Sequence, residues 1–171
     1  MEIWDLYHRD GTPAGRTWPR GSGLPEGLYH IVCSVILRHT DGDFLLMQRA
    51  PDKLPHPLRW ELTAGGSVLS GETPEACARR ELMEETGYDV PALREIGSRA
   101  RDDNHTIYHC YLATTDANKK AVTLQPEETV AWRWVDLNGL RAFIDSGEGI
   151  PHQFLDYAPY LRGELGLQYD L

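Results

Sequence analysis

Residues Ile3, Trp4, Asp5, Leu6 and Tyr7 alternate in polarity and are closed by the turn pair Asp10-Gly11 before Thr12-Pro13, which predicts a short hairpin. A Pro- and Gly-rich stretch over 18–25 follows it. Residues 1–29 are too few to bury a core of their own, so they read as an extension packed on the main body. From 31 to 37 the chain is β-branched and apolar, and Asp41-Gly42 separates this run from Phe44-Leu45-Leu46-Met47, a strong hairpin signal. Trp60 to Thr63 predicts another short strand, ending where Gly65-Gly66 lets the backbone turn. The clearest element is a helix. Thr73 is a suitable N-cap, Pro74 suits the first helical position, helix formers fill 75–85, and Gly87 supplies a left-handed C-terminal residue. Strands are expected over 93–100, 106–114 and 130–135, then helices over 137–145 and about 153–165. Strands, helix, strands, helices, without regular βαβ alternation, predict an α+β fold: an α/β/α sandwich around a mixed β-sheet.

The length of 171 residues suits a single domain. Seventeen Lys and Arg against 26 Asp and Glu give a net charge of −9, which repels nucleic-acid backbones and excludes a scaffold-binding role for them. An anionic substrate then needs a local inversion of the field, for which a divalent cation is the usual device. With no long apolar run and no basic-then-apolar start, neither membrane insertion nor secretion is expected, and a cytoplasmic location is the default. Cys33, Cys77 and Cys110 are odd in number, with no C-x-x-C pair, and are expected to be buried free thiols.

The chemistry concentrates between Gly66 and Tyr88. At 100° per residue, Glu81, Glu84 and Glu85 fall within one arc of the helix, an exposed acidic face, with Leu82 and Met83 pointing away. Like charges at these spacings repel, and acids near a helix C-terminus oppose its dipole. Such a cluster makes physical sense if it binds a hard cation, Mg²⁺ or Mn²⁺. Arg80 is placed to hold Glu72 or a helix carboxylate.

The full spacing is Gly66, five residues, Glu72, seven residues, Arg80-Glu81-Leu82, one residue, Glu84-Glu85, one residue, Gly87-Tyr88. It resembles the Nudix box at every fixed position, Tyr88 being aromatic where aliphatic residues are commoner. The resemblance implies one Nudix hydrolase domain over 1–171, with 1–29 as a hairpin extension. It also implies cleavage of a diphosphate linkage in a nucleoside diphosphate-type small molecule, with divalent metal as cofactor. By the same resemblance Glu81, Glu84, Glu85 and the Gly65 carbonyl are the metal ligands, Arg80 orients Glu81, and Glu72 braces the loop through Arg80. A further carboxylate is expected before a Trp-Val strand. Here Glu127-Glu128 precede Trp132 to Val135, and Glu128 is preferred, leaving Glu81 and Glu128 as competing general bases. Homodimerisation is likewise suggested by the resemblance.

The phrase from Tyr29 to Val35 also resembles Nudix proteins close to isopentenyl diphosphate isomerase, whose metal-binding histidines include one at the position of His30. The isomerases carry a catalytic Cys and a His in the stretch that here reads Trp60 to Ser67, where this chain has neither. A nucleotide-sensing module without turnover is the other alternative; its expected mark, lost box carboxylates, is missing. Trp60 and Trp134 are expected in the core, Arg49 and Arg59 at the surface, and His105 and His109 beside a polar turn, not as ligands.

Overall fold

The computed structural model describes residues 1–170. Strands β1 (Ile3–Tyr7) and β2 (Pro13–Pro19) form an antiparallel hairpin. It is tied to the body: Asp5 accepts from the Ser70 hydroxyl and the Gly71 N–H, and Tyr7 exchanges backbone bonds with Tyr29.

The larger sheet has seven strands: β3 (His30–His39), β4 (Phe44–Arg49), β5 (Trp60–Glu61), β6 (Thr63–Ser67), β7 (Leu93–Arg101), β8 (Thr106–Thr115) and β9 (Thr129–Val135). β8 runs parallel to β3 along its whole length, and β7 continues antiparallel beyond it. Two expectations change here. β3 and β4 meet only at Arg38 and Phe44, because β6 takes the rest of that edge of β3 while β4 pairs with β9 and β5. Secondly, the strand expected from Trp60 is broken at Leu62 into β5 and β6, and β6 does not stop at Gly65-Gly66. It continues to Ser67, with Gly65 opposite Ser34 and Gly66 opposite Cys33.

Period-two alternation sends successive side chains to opposite faces, and both faces are covered, which is why β3 and β4 read as continuous apolar runs. Val35, Leu37, Leu45 and Met47 pack with Cys77, Ala78 and Leu82 of helix α1 (Pro74–Thr86). Ile36, Phe44 and Leu46 pack on the other side with Leu140 and Phe143 of α2 (Leu137–Ser146) and Phe154 of α3 (Pro151–Asp156). This is the α/β/α sandwich expected, with α1 capped as the sequence predicts by Thr73 and a left-handed Gly87. The final expected helix is broken instead. α3 ends at Asp156 and a wider π-type segment covers Pro159–Glu164, since Pro159 has no N–H to continue the ladder. Among the described residues no helix is long and apolar enough to cross a membrane.

His30 stacks flat on Trp4 of the hairpin, centroids 4.2 Å apart, and burial pushes its pKa down to about 4. The unfolded chain, with a histidine near its ordinary value, therefore binds an extra proton between about pH 6.5 and 4. Stability contributed by neutral His30 is present above that window and lost as pH falls through it, at most about 3 kcal/mol. His30→Phe keeps the stack and removes the titration. Thermal melts of both proteins from pH 7 to 4 are expected to show a shallower loss in the variant; parallel slopes would refute the assignment.

Candidate active site

Helix α1 presents its acids unevenly. Leu82 is buried in the core, but Met83 is 51% exposed, so these neighbours do not share one face. Glu84 is exposed, whereas Glu85 is only 5% exposed, which corrects the expectation of an exposed acidic face. The difference is tertiary: β6 packs across the inner edge of the helix and covers Glu85.

Arg80 organises the remainder. Its Nε and Nη2 donate to the two Glu72 oxygens at 2.9 and 3.0 Å, and its Nη1 donates to Glu81 at 2.5 Å and to Glu84 at 3.3 Å. Glu72 also accepts the Leu69 N–H at 3.0 Å, closing the loop that enters α1. A Cβ at Gly66 would run into the Glu81 carboxylate, so a larger residue there would push that side chain from its place beside Arg80. At Gly65 a Cβ would meet the Cys33 carbonyl oxygen at 2.3 Å, so close pairing with β3 explains the first glycine.

The surroundings of Glu85 disfavour its charge. Burial, then Glu61 and Glu81, raise its pKa well above the ordinary carboxylate value, and Lys53 opposes this only partly. Its one polar contact is the Gly65 N–H at 3.4 Å, with no Lys or Arg in ion-pair contact among the described residues. Across from it a cavity of about 150 Å³ is bounded by Gly65, Glu61, Lys53 and Glu128. Lys53 pairs with Glu128, which is half-buried, while Glu127 is exposed. Gly65, Glu81, Glu84, Glu85 and Glu128 also share a second, adjoining depression, so the structure brings these sequence-derived candidates together.

No three His, Cys, Asp or Glu side chains among the described residues form a ready-made cation cage. Arg80 engages Glu81 and Glu84, and Lys53 engages Glu128. The donor set nevertheless fits a hard divalent cation: carboxylate oxygens crowd a buried, uncompensated Glu85 beside backbone of a close-packed strand.

Several residues take places the sequence did not suggest. Arg49 is only 12% exposed, not a surface arginine, and spends its donors on Glu61 and on the carbonyls of Lys53, Pro55 and His56. It thereby sets the loop carrying Lys53. Glu61, Lys53 and Asp156 were missed altogether. Glu61 sits inside a two-residue strand, and Lys53 in a Pro-rich loop, so no local periodicity marks either. His30 faces Trp4, His109 pairs with Glu95, and His105 tilts on Tyr29; none lines the cavity. Trp134 donates to the Lys119 carbonyl and Trp60 lies under Arg133, consistent with packing roles. The three cysteines are free and buried.

A family model for the NUDIX domain matches residues 28–155. A Nudix hydrolase of Listeria monocytogenes is 36% identical over 158 residues, covering 91% of this chain and 92% of the relative. The isopentenyl-diphosphate Δ-isomerase of Dinoroseobacter shibae is 35% identical over 144 residues, covering 80% and 77% respectively. Among solved structures, DR0079 of Deinococcus radiodurans superposes with a TM-score of 0.70 at 24% identity, covering 85% of this chain and 90% of that one.

Proposed function

This chain belongs to the Nudix hydrolase family, and from that premise we propose that it hydrolyses a diphosphate linkage in a nucleoside diphosphate-type substrate, with Mg²⁺ or Mn²⁺. The observation that carries the reading is Glu85: a buried carboxylate without a contacting cation, beside Gly65 and Glu81, at the wall of a cavity. Glu81, Glu84, Glu85 and the Gly65 carbonyl would hold the metal. When bound, the ion supplies charge neutralisation at the phosphoryl oxygens and lowers the pKa of water.

The chain's own residues then have distinct tasks. Arg80 fixes the Glu81 rotamer, and Glu72 fixes Arg80. Glu128, opposite Glu85, receives the proton of the attacking water as its oxygen bonds to phosphorus and the bridging P–O bond breaks, the leaving phosphate taking the electron pair. Glu81 is the competing base: burial raises its carboxyl above the ordinary value even though Arg80 opposes the rise, while the bond to Arg80 occupies one of its oxygens. Lys53, beside Glu128 and near Glu85, offers an ammonium to phosphate oxygens.

Isomerase chemistry is disfavoured by Cys33, which lines the cavity but donates to the Pro74 carbonyl at 3.0 Å. The neighbouring Cys77 thiol and burial push its pKa far above the ordinary value. It is a poor proton donor to carbon.

In a phosphate-release assay, chelation is expected to abolish turnover and Mg²⁺ or Mn²⁺ to restore it. With metal present, Glu128→Gln is expected to lower kcat by about 10²- to 10⁴-fold with little change in KM. Near-normal kcat would return the base to Glu81.

A further inference from the structure

The cavity extends past the acids to α3, whose His152, Gln153 and Asp156 form its far wall together with Tyr108. His152 and Asp156, four residues apart, lie on one helix face. Most polar groups there are already occupied. Gln153 accepts the Leu62 N–H through its amide oxygen and donates to Glu61. The Tyr157 hydroxyl donates to Ser34 Oγ at 2.9 Å, and the Tyr108 hydroxyl accepts from Asn104 at 2.9 Å.

Asp156 is the exception. Its side chain is 4% exposed, Oδ1 has no hydrogen-bond partner among the described residues, and a guanidinium nitrogen of Arg99 lies 3.8 Å from it. Burial raises its pKa despite Arg101 and Arg99. A carboxylate buried this way costs stability unless something donates to it, and an apolar residue of similar size would pack at less cost. Oδ1 is sealed within the protein, so Oδ2, which also has no hydrogen-bond partner among the described residues, is the oxygen left for a donor at the cavity wall.

We propose that Asp156 is a specificity residue that accepts a hydrogen bond from the organic part of the substrate, a sugar hydroxyl or a base N–H. It thereby selects donor-bearing diphosphates over alkyl diphosphates. The proposal rests on the hydrolase reading above and adds the chemical class of the group beyond the phosphates. Half-buried His152, whose imidazole pKa burial lowers, lines the same stretch of the cavity one helical turn from Asp156.

The test compares kcat/KM for a nucleoside diphosphate, ribose 5-diphosphate and isopentenyl diphosphate in the wild type, Asp156→Asn and Asp156→Leu. Wild type is expected to favour the donor-bearing substrates. Asp156→Leu is expected to lose roughly 100-fold on them, mainly through KM, while leaving the alkyl diphosphate unchanged. Asp156→Asn, which keeps an acceptor oxygen, should recover part of the loss. Loss with the nucleotide alone assigns the contact to the base; loss with both assigns it to the sugar. The Leu variant is expected to melt no lower than wild type, which separates recognition from folding. Equal losses on all three substrates, or a wild-type preference for the alkyl diphosphate, would overturn the proposal. If wild type hydrolyses none of them, the hydrolase reading fails. Calorimetric binding of a nucleoside monophosphate to wild type and Asp156→Leu then decides the subsite, with weaker binding by the variant supporting it and equal binding overturning it.

Discussion

Glu85→Gln is expected to reduce turnover by at least roughly a thousandfold while the apo protein melts at the same or a higher temperature. The two halves of this result have one cause. Glu85 is buried against Glu61 and Glu81, so in the absence of a cation its charge opposes folding, and its pKa is raised accordingly. A glutamine of the same shape removes that repulsion and keeps an acceptor for the Gly65 N–H. With metal and substrate, the balance reverses, because the missing negative charge weakens attraction for a divalent ion where phosphoryl charge must be neutralised. Turnover under saturating Mg²⁺ and a thermal melt in chelator read both halves. Retained activity would remove Glu85 from the site, and a strongly lowered melting temperature would make it a structural residue.

Arg80→Ala is the more damaging change to the fold. It leaves Glu72, 15% exposed, and Glu81 without their guanidinium, and uncouples the loop before α1 from the helix. An unpaired, largely buried carboxylate pair costs about 2–4 kcal/mol, reduced from the fully buried figure because Arg80 is partly solvated. Catalytic loss of about 10²-fold or more is expected in addition, since Glu81 is no longer held in one rotamer. Arg80→Lys should not rescue either property: a single ammonium cannot reproduce the two-pronged contact with Glu72 together with the contact to Glu81. Denaturant titration and kcat measured on all three proteins provide the check. Full rescue by lysine would mean that charge alone matters at this position.

The legible part of this molecule is the part built by local rules. Thr73, Pro74 and Gly87 mark the ends of α1 because capping is decided within a turn of the chain. The spacing from Gly66 to Gly87 was readable for the same reason, as both Glu72 and the helix acids are held by one arginine within reach. Strand pairing is decided elsewhere. Asp41-Gly42 does turn the chain, yet β4 leaves β3 after one pair because β6, more than twenty residues later, claims that edge. Burial is equally non-local: nothing in the pattern of α1 distinguishes Glu84, which is exposed, from Glu85, which β6 covers. Arg49 reads as an ordinary polar position until the loop over 50–58 closes around it, and Asp156 until helix α3 seats it against β7. Their placement depends on contacts distant in sequence, which periodicity does not encode.

Hydrolysis and isomerisation are separated by ³¹P NMR of the purified protein with Mg²⁺ in water partly enriched in ¹⁸O, using a nucleoside diphosphate and related diphosphates, with Glu85→Gln as the control. Diphosphate hydrolysis gives new phosphate signals carrying the isotope shift of ¹⁸O on phosphorus, absent with the variant. No diphosphate cleavage, together with conversion of isopentenyl diphosphate to its allylic isomer in proton spectra, would contradict it.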